Sequence, residues 1–303
     1  MKIRPATKTD KEEVLRFCIN TFEWGDYIDQ VWDLWYSDRN GVLLVAEDEH
    51  YSIHNNIGPS VIAISHASLC PNNKKVWLEG IRVNPDYRRR TVATQLIEKM
   101  ISYGKEQGAK EASAMVANNN IASQLMMEKN GFVMISKWSY YSIYKIPKVD
   151  NVKLRSRFAT FKDSEMICNY LRRSGVYKSS GETYVNSWRW YSLDLYSYTL
   201  SDLIKNEKVI VIGNDPIEGV AIINRDRHWN KNNDNTFQIV YLDAYNVHLL
   251  EDFISFSINL IHTEDAIYDR LQVYSPQTTY ISTVMEQVGI ERSEEFLLYR
   301  RKI

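Results

Sequence analysis

The segment from Asn84 to Met100, NPDYRRRTVATQLIEKM, changes character midway, and the fold prediction starts from it. Immediately before it, the apolar run Val76–Val83 (VWLEGIRV) predicts a β-strand. The second part of the segment predicts a helix, because apolar residues recur there at helical spacing: Val92, Leu96, Ile97 and Met100. Three consecutive arginines, Arg88–Arg90, therefore stand where a strand passes into a helix.

This junction has the chemistry of an anion-binding site. The N-terminus of a helix carries backbone N–H groups without intrahelical acceptors and the positive end of the helix dipole. Cations at that position are unfavourable unless an anion is bound between them, and guanidinium groups are good phosphate ligands. We therefore predict that Arg88–Arg90 bind the phosphate groups of a ligand. The alternative is that the arginines only decorate a solvent-exposed helix start.

The composition excludes several other classes of protein. A formal net charge of −1 gives no overall positive field for nucleic acid. The three cysteines, Cys18, Cys70 and Cys168, are widely spaced, and the six histidines have no metal-ligand spacing, so neither a disulfide framework nor a metal site is expected. The charged N-terminal segment and the lack of a long apolar run predict a soluble, cytoplasmic protein that does not bind membranes.

The length and two sequence echoes predict a tandem organisation. A chain of 303 residues suggests two domains, and we place them at 1–148 and 152–303. KIRPATKTDKEEV (2–14) is echoed by RSRFATFKDSEMI (155–167), and MMEKNGF (126–132) by VMEQVGI (284–290). The second half has YNVHLLEDF where the first has its arginines, so it is expected to be a degenerate copy that lacks the phosphate loop.

Two motifs resemble the GNAT acetyltransferase superfamily. VNPDYRRRTVATQLI (83–97) resembles the family signature V-x-P-x-Y-R-x-x-G-x-G/A, and NNIASQLMMEKNGF (119–132) resembles a second signature that follows it. The resemblance covers about Met1 to Pro147. It implies a fold of the α/β (α+β) class, with a mixed, mostly antiparallel sheet flanked by helices. It also implies acetyl-CoA as cosubstrate and no metal.

The resemblance assigns the acetyl-CoA ligands residue by residue. Thr91 replaces a family glycine, so we expect helical or β dihedral angles there and a hydroxyl that caps the helix or binds phosphate. Asn120 is expected either to hold the pantetheine arm or to cap the following helix, and Ser123 either to face CoA or to pack. The full set is Ile81, Arg82, Val83, Arg88, Arg89, Arg90, Thr91, Val92, Ala93, Thr94, Asn120 and Ser123.

Two residues are predicted to carry the chemistry. Strand alternation predicts that Trp77, Glu79, Ile81 and Val83 share one face. The resemblance implies that the backbone of Val83 contacts the cofactor, so this face is expected to meet it. Glu79 is then the candidate general base, because an ammonium acceptor must lose a proton before it attacks. The alternative for Glu79 is a structural salt bridge, with neighbours of Arg82 or with Lys99. Met127 stands where many family members have a proton-donating tyrosine, so Tyr140 is the candidate acid, with Tyr141 and Tyr144 nearby, unless the thiolate leaves unaided.

The acceptor is expected to bind near EWGDYIDQVWDLWY (23–36), where this family places its substrate-covering helices. The candidate substrate residues are Glu23, Trp24, Asp26 and Tyr27, and the alternative for the acids is an ordinary surface role. Three segments, WGDYI (24–28), LEGIRVNP (78–85) and YLDAY (241–245), together resemble the histidine N-acetyltransferase-like branch of the superfamily. This resemblance implies a small-molecule amine or amino acid as acceptor. A protein or peptide N-acetyltransferase and a non-catalytic acyl-CoA-binding module are the competing interpretations.

Overall fold

Strands and helices are distributed along the whole described chain. The computed structural model describes residues 1–21, 25–48, 60–70, 74–148, 154–195, 198–225, 235–263 and 268–303. Its strands are β1 (Lys2–Pro5), β2 (Gly41–Asp48), β3 (Ser60–Cys70), β4 (Lys75–Val83), β5 (Glu111–Ala117), β6 (Val133–Ile143), β7 (Arg157–Phe158), β8 (Thr183–Asn186), β9 (Arg189–Ser192), β10 (Val209–Ile212), β11 (Gly219–Asn224), β12 (Thr236–Ala244), β13 (Arg270–Pro276) and β14 (Arg292–Lys302).

The helices flank these strands. They are α1 (Lys11–Cys18), α2 (Ile28–Tyr36), α3 (Val92–Glu106), α4 (Ile121–Lys129), α5 (Ser164–Arg173), α6 (Gly175–Ser179), α7 (Tyr198–Lys205), α8 (Val247–Thr263) and α9 (Thr279–Gln287). Of the helices in the described ranges, none is long and apolar enough to cross a membrane.

One mostly antiparallel sheet runs through the whole molecule. Its strand order is β1-β2-β3-β4-β5-β14-β6-β13-β12-β11-β10-β7, and β8 and β9 form a separate hairpin. Two neighbouring pairs are parallel, β4 with β5 in the first half and β12 with β13 in the second. The predicted class, a mixed sheet flanked by helices, is confirmed.

The two halves exchange their last strands. β14 ends the second half of the chain, yet it pairs with β5 of the first half through seven residue pairs from Phe296–Ala117 to Lys302–Glu111. Conversely, β6 of the first half pairs with β13, from Leu271–Ile143 to Pro276–Trp138. Each half therefore supplies a strand to the other. The division of the chain into 1–148 and 152–303 stays a proposal, because strands of the two ranges pair with each other.

A repeated ion-pair motif supports the predicted internal duplication. In the first half Arg4 contacts Asp10 at 2.8 Å, and Asp10 accepts hydrogen bonds from the amide and hydroxyl of Thr7. In the second half the same roles are taken by Arg157, Asp163 and Thr160, with an Arg157–Asp163 distance of 2.7 Å. The two threonines have nearly equal dihedral angles, φ −112° with ψ 165° and φ −112° with ψ 168°.

Helices cover both faces of the first half of the sheet. On one face α3 packs Leu96, Ile97 and Met100, all fully buried, against apolar side chains of β4. On the other face α2 places Trp32 and Trp35 over β2 and β3. The spacing of these apolar residues matches the helical repeat, so their burial explains why the sequence pattern predicted the helices correctly.

Candidate active site

A gap opens between β4 and β5 because their pairing stops early. The parallel ladder extends only from Lys75–Glu111 to Trp77–Ser113, although β4 continues to Val83 and β5 to Ala117. At the far end of β4 the Asn84 amide donates to the Ile62 carbonyl at 2.8 Å. Because backbone groups alternate in direction along a strand, the N–H of Val83 points away from β3 and into the gap.

The predicted anion site lies at the end of this gap. After β4 the chain forms a short 3-10 turn, Pro85–Tyr87, and Asn84 accepts a hydrogen bond from the Asp86 amide. The first backbone hydrogen bond at the start of α3 joins the Gln95 amide to the Thr91 carbonyl at 3.1 Å. The amides of residues 92–94 therefore precede the helical hydrogen-bond ladder and are available to an anion.

The three arginines of this loop are solvent-exposed. Arg90 stacks over the Tyr87 ring at 5.1 Å, and the Nε atom of Arg88 donates to the Val83 carbonyl at 3.4 Å. Within the described part of the chain, none of Arg88, Arg89 and Arg90 forms an ion pair with a carboxylate. Their positive charge at the positive end of α3 is therefore left for a ligand to neutralise.

The expected dihedral angles of Thr91 are wrong, and so is the expected cap, whereas phosphate binding by Thr91 stays a prediction. Its backbone is left-handed, with φ 62° and ψ 5°, and Arg89 is also left-handed, with φ 61°. The Thr91 hydroxyl does not cap α3 but donates to the Arg90 carbonyl at 2.6 Å. A β-branched residue in this conformation is strained. Threonine therefore adopts, at a cost, a backbone conformation that glycine takes readily.

The expected alternation along β4 is also wrong, because a β-bulge interrupts it. Gly80 has φ 67°, and the register against β3 shifts between the pairs His66–Glu79 and Ile64–Arg82. Val76 and Leu78 face α3 before the bulge, and Ile81 and Val83 pack on that same side after it. Glu79 lies on the other face, where its carboxylate accepts from the Trp77 indole, and Arg82 on that face pairs with Asp26. The bulge thus separates the face of Glu79 from the face of Ile81 and Val83.

Glu79 lies in a largely buried charge cluster that joins the two halves. Its carboxylate contacts Nδ1 of His66 at 2.8 Å and accepts from the Trp77 indole at 3.1 Å. Arg189, at the start of β9, contacts it at 2.6 Å and also donates to Ser68. Burial raises the pKa of Glu79, but the Arg189 charge and the His66 contact outweigh it and bring that pKa down to about 2. The salt bridge exists, and its partner is Arg189 rather than Lys99.

The other members of this cluster close it on the side of α2. Trp35 stacks on His66 with ring centroids 4.9 Å apart and an interplanar angle of 7°. Asp38 accepts from Ser68 at 2.7 Å and lies 3.6 Å from Nε2 of His66. The cluster therefore brings two carboxylates, one guanidinium and one imidazole together under the Trp35 ring.

Two of the predicted ligand and acceptor residues bind each other instead. Nε of Arg82 donates to Asp26 at 2.7 Å, and the guanidinium lies over the Tyr27 ring at 5.1 Å. The Arg82 side chain thus points toward Asp26 and α2, and the predicted contact of Arg82 with the cofactor stays a prediction. Asp26 is neutralised and is not a free acid waiting for an amine. The predicted acceptor residues Glu23 and Trp24 lie outside the described residues.

The second predicted motif has the expected helix. Asn120 caps α4, since its side chain accepts from the Ser123 amide at 3.1 Å, so the capping alternative is confirmed for Asn120. Ser123 is half-buried at the first turn of α4, and Met127 is buried in the core beside α3. A role of Asn120 or Ser123 toward CoA stays a prediction.

Tyr140 faces the second half of the chain. Its hydroxyl accepts from Arg270 at 3.0 Å and from Gln272 at 2.9 Å, and its ring packs against Trp188 and Tyr274. Burial raises the pKa of Tyr140. These contacts give no support to its predicted role as proton donor for the leaving thiolate, which stays a prediction.

Sequence reasoning missed His66, Asp38 and Arg189. Arg189 follows a two-residue hairpin turn at Ser187 and Trp188, both with positive φ, which carries none of the usual Asn-Gly signals. His66 lies inside a continuous apolar strand and matches no motif. Among the described residues no group of His, Cys, Asp and Glu is arranged to hold a metal ion.

Residues 11–132 match the model of the acetyltransferase (GNAT) family. The gap between parallel strands and the loop that leads into α3 both lie within the matched region.

Part of the chain is also similar in sequence to a curated acetyltransferase. The aminoglycoside N(6')-acetyltransferase type 1 of Salmonella typhimurium is 33% identical over 72 residues, which are 24% of this chain and 50% of that protein. The chain thus spans about half the length of the curated relatives it matches.

Solved structures resemble the whole chain in fold. A GCN5-related N-acetyltransferase from Sphaerobacter thermophilus has a TM-score of 0.60 at 10% identity, over 99% of this chain and 95% of that one. A tandem GNAT protein from the clavulanic acid biosynthesis pathway has a TM-score of 0.54 at 11% identity, over 99% and 98% of the two chains.

Proposed function

We propose that this protein transfers an acetyl group from acetyl-CoA to the primary amine of a small molecule. The observation that carries the proposal is the gap between β4 and β5, because it joins an inward-pointing Val83 amide to the exposed amides and arginines at the start of α3. The strand amide can donate a hydrogen bond to the thioester carbonyl, and the amides and arginines of the loop can bind a diphosphate. The amine acceptor is supported by the similarity to an enzyme named as an N-acetyltransferase of aminoglycosides.

Each part of the site has a separate task in this proposal. Acetyl-CoA supplies the activated acetyl group. The amides of residues 92–94 and Arg88–Arg90 hold its phosphates, and the Val83 N–H polarises the carbonyl that the amine attacks. Glu79 lies on the opposite face of β4, the face toward α2, and there it binds the acceptor ammonium.

Glu79 is a weak base as long as Arg189 holds it. A carboxyl with a pKa of about 2 is far from the ~10 of an alkylammonium, so proton transfer between them is strongly uphill. The carboxylate also already contacts His66, Trp77 and Arg189. We therefore assign Glu79 to binding the acceptor ammonium, and it can act as the base only after the acceptor has displaced Arg189.

The position of the β8–β9 hairpin favours a small acceptor. Arg189 reaches Glu79 and Ser68 of the first half, so the hairpin covers the face on which the acceptor would approach. An extended peptide would need an open groove on this face. A protein or peptide acceptor is for this reason the second candidate rather than the first.

The proposal predicts that the purified protein releases CoA thiol from acetyl-CoA in the presence of some member of a panel of primary amines. Glu79→Gln is expected to lower kcat by about 100-fold or more while the dissociation constant for CoA stays unchanged. Glu98→Gln is the matched control, because Glu98 lies on α3 and pairs with Arg301 at 2.6 Å, away from Glu79. It is expected to keep full activity.

Three outcomes would change the assignment. Binding of CoA without acetylation of any amine would identify a non-catalytic acyl-CoA-binding module. Acetylation of peptides alone would favour the second candidate. Unchanged activity of Glu79→Gln would remove Glu79 from the chemistry.

A further inference from the structure

A cavity with a volume of about 350 Å³ lies in the second half of the chain. It is formed at the end of β12, beside the junction of α5 and α6, and Thr278 after β13 also lines it. The residues that give it chemical character are Tyr170, Arg173, Ser174, Asp243 and Tyr245. Its size falls in the range of small-molecule sites.

The cavity has a buried carboxylate in its wall. Asp243 is 2% exposed, and its oxygens accept hydrogen bonds from three hydroxyls, those of Tyr170 at 2.9 Å, Ser174 at 2.6 Å and Tyr241 at 2.9 Å. All three donors are neutral, and no Lys, Arg or His of the described ranges forms an ion pair with Asp243. Burial raises the pKa of Asp243. A buried carboxylate without a cation is costly, so this site lacks a partner.

The corresponding position in the first half of the chain is also charged, but there the charge is paired. Arg82 is the penultimate residue of β4, and Asp243 is the penultimate residue of β12. Arg82 is neutralised by Asp26, which lies two residues before the start of α2. At the corresponding place in the second half, Asp243 meets only the hydroxyls of Tyr170 and Ser174, from the end of α5 and the residue that follows it. The two corresponding positions thus carry opposite charges, and among the described residues only the Arg82 charge has a counterion.

One oxygen of Asp243 can accept a further donor. Oδ2 already accepts from Ser174 and Tyr241, whereas Oδ1 accepts from Tyr170 alone, and each carboxylate oxygen has room for two donors. Beside it, the rings of Tyr170 and Tyr245 lie 5.1 Å apart, and Tyr245 is 61% exposed. An anion flanked by aromatic faces is a favourable environment for an organic ammonium group.

Arg173 restricts the ligand further. It is exposed, lines the same cavity and forms no ion pair with a described carboxylate. A ligand with positive charge alone would be repelled by it, whereas a ligand with an additional anionic group would be attracted. We infer that this cavity binds a small zwitterionic amine, whose ammonium group contacts Asp243 and whose anionic group contacts Arg173. This site is separate from the proposed acetyl-transfer site.

The test is a binding titration of the full chain in the absence of acetyl-CoA, with the free L-amino acids as probes. At least one is expected to bind at millimolar concentration or below, and Asp243→Asn is expected to weaken it by about tenfold or more. Glu79→Gln is expected to leave the binding unchanged, which separates this site from the proposed acceptor site. The result does not depend on acetylation, so failure of the proposed function would leave it standing.

A second variant decides the matter if Asp243→Asn does not fold. Arg173→Met removes an exposed side chain and is expected to weaken the binding of the amino acid about fivefold or more. Binding of the corresponding amine without the carboxylate is expected to stay unchanged. Arg172→Met is the matched control, because Arg172 is exposed on the same helix and does not line the cavity. Absence of binding by every amino acid, or full affinity in folded Asp243→Asn or in Arg173→Met, would overturn the inference.

Discussion

Replacing Arg189 by methionine is expected to lower the free energy of unfolding by about 3–5 kcal/mol at neutral pH. The substitution leaves Glu79, which is only 15% exposed, without the guanidinium that neutralises it. The change in the pKa of Glu79 from its usual 4.5 to about 2 gives a similar magnitude, about 3 kcal/mol. Chemical denaturation of the wild type and the variant measures the difference.

The pH dependence of this difference has a definite sign. Because the folded-state pKa of Glu79 is depressed, the stabilisation is complete above pH 4.5 and is lost as the pH falls toward about 2. The difference in unfolding free energy between the wild type and Arg189→Met should therefore decrease over that range. The double variant Glu79→Gln with Arg189→Met should lose less than the sum of the single variants, since neither charge is then left alone. A difference below about 1 kcal/mol, or strictly additive losses, would show that the pair does not stabilise the fold.

Replacing Gly80 by alanine is expected to cost about 3 kcal/mol or more and to abolish the acetyl-transfer activity. A Cβ atom at this position would come within 2.4 Å of two ring carbons of Trp35, and φ is 67°. Trp35 is itself buried and stacked on His66, so it cannot move away freely. The bulge would have to rearrange, and with it the positions of Glu79 and Val83. Denaturation and the thiol-release assay measure the two effects.

Gly108 provides the matched control for this prediction. It also has a positive φ, 81°, at the end of α3, but no atom lies within 4 Å of the position a Cβ would take. Gly108→Ala should therefore cost only the strain of a left-handed residue, about 1 kcal/mol, and leave activity intact. Equal losses in the two variants would mean that the close approach of Trp35 to Gly80 does not matter.

The elements that could be predicted from the sequence are those whose signals are local. The periodicity of Val92, Leu96 and Met100 and the capping residue Asn120 define α3 and α4, because both signals depend on residues within one or two turns. The arginine loop was predicted in the right place for the same reason.

The features that sequence reasoning missed depend on contacts between distant parts of the chain. The pairing of Arg189 with Glu79 joins residues 110 positions apart, and no local pattern reports it. The pairing of β14 with β5 could not be predicted either, because several apolar strands of similar composition could have paired with β5. The bulge at Gly80 did have a signal, since an isolated glycine within a strand suggests a bulge. The left-handed Thr91 had none, because its residue type argues against that conformation.

The central claim is that the diphosphate of acetyl-CoA binds at the start of α3, and a structure of the full chain with CoA tests it most directly. The diphosphate oxygens are expected within hydrogen-bonding distance of the backbone amides of residues 92–94 and beside Arg88–Arg90, with the pantetheine arm along the gap toward Val83. A CoA molecule bound elsewhere, or an empty loop at saturating CoA, would contradict the account.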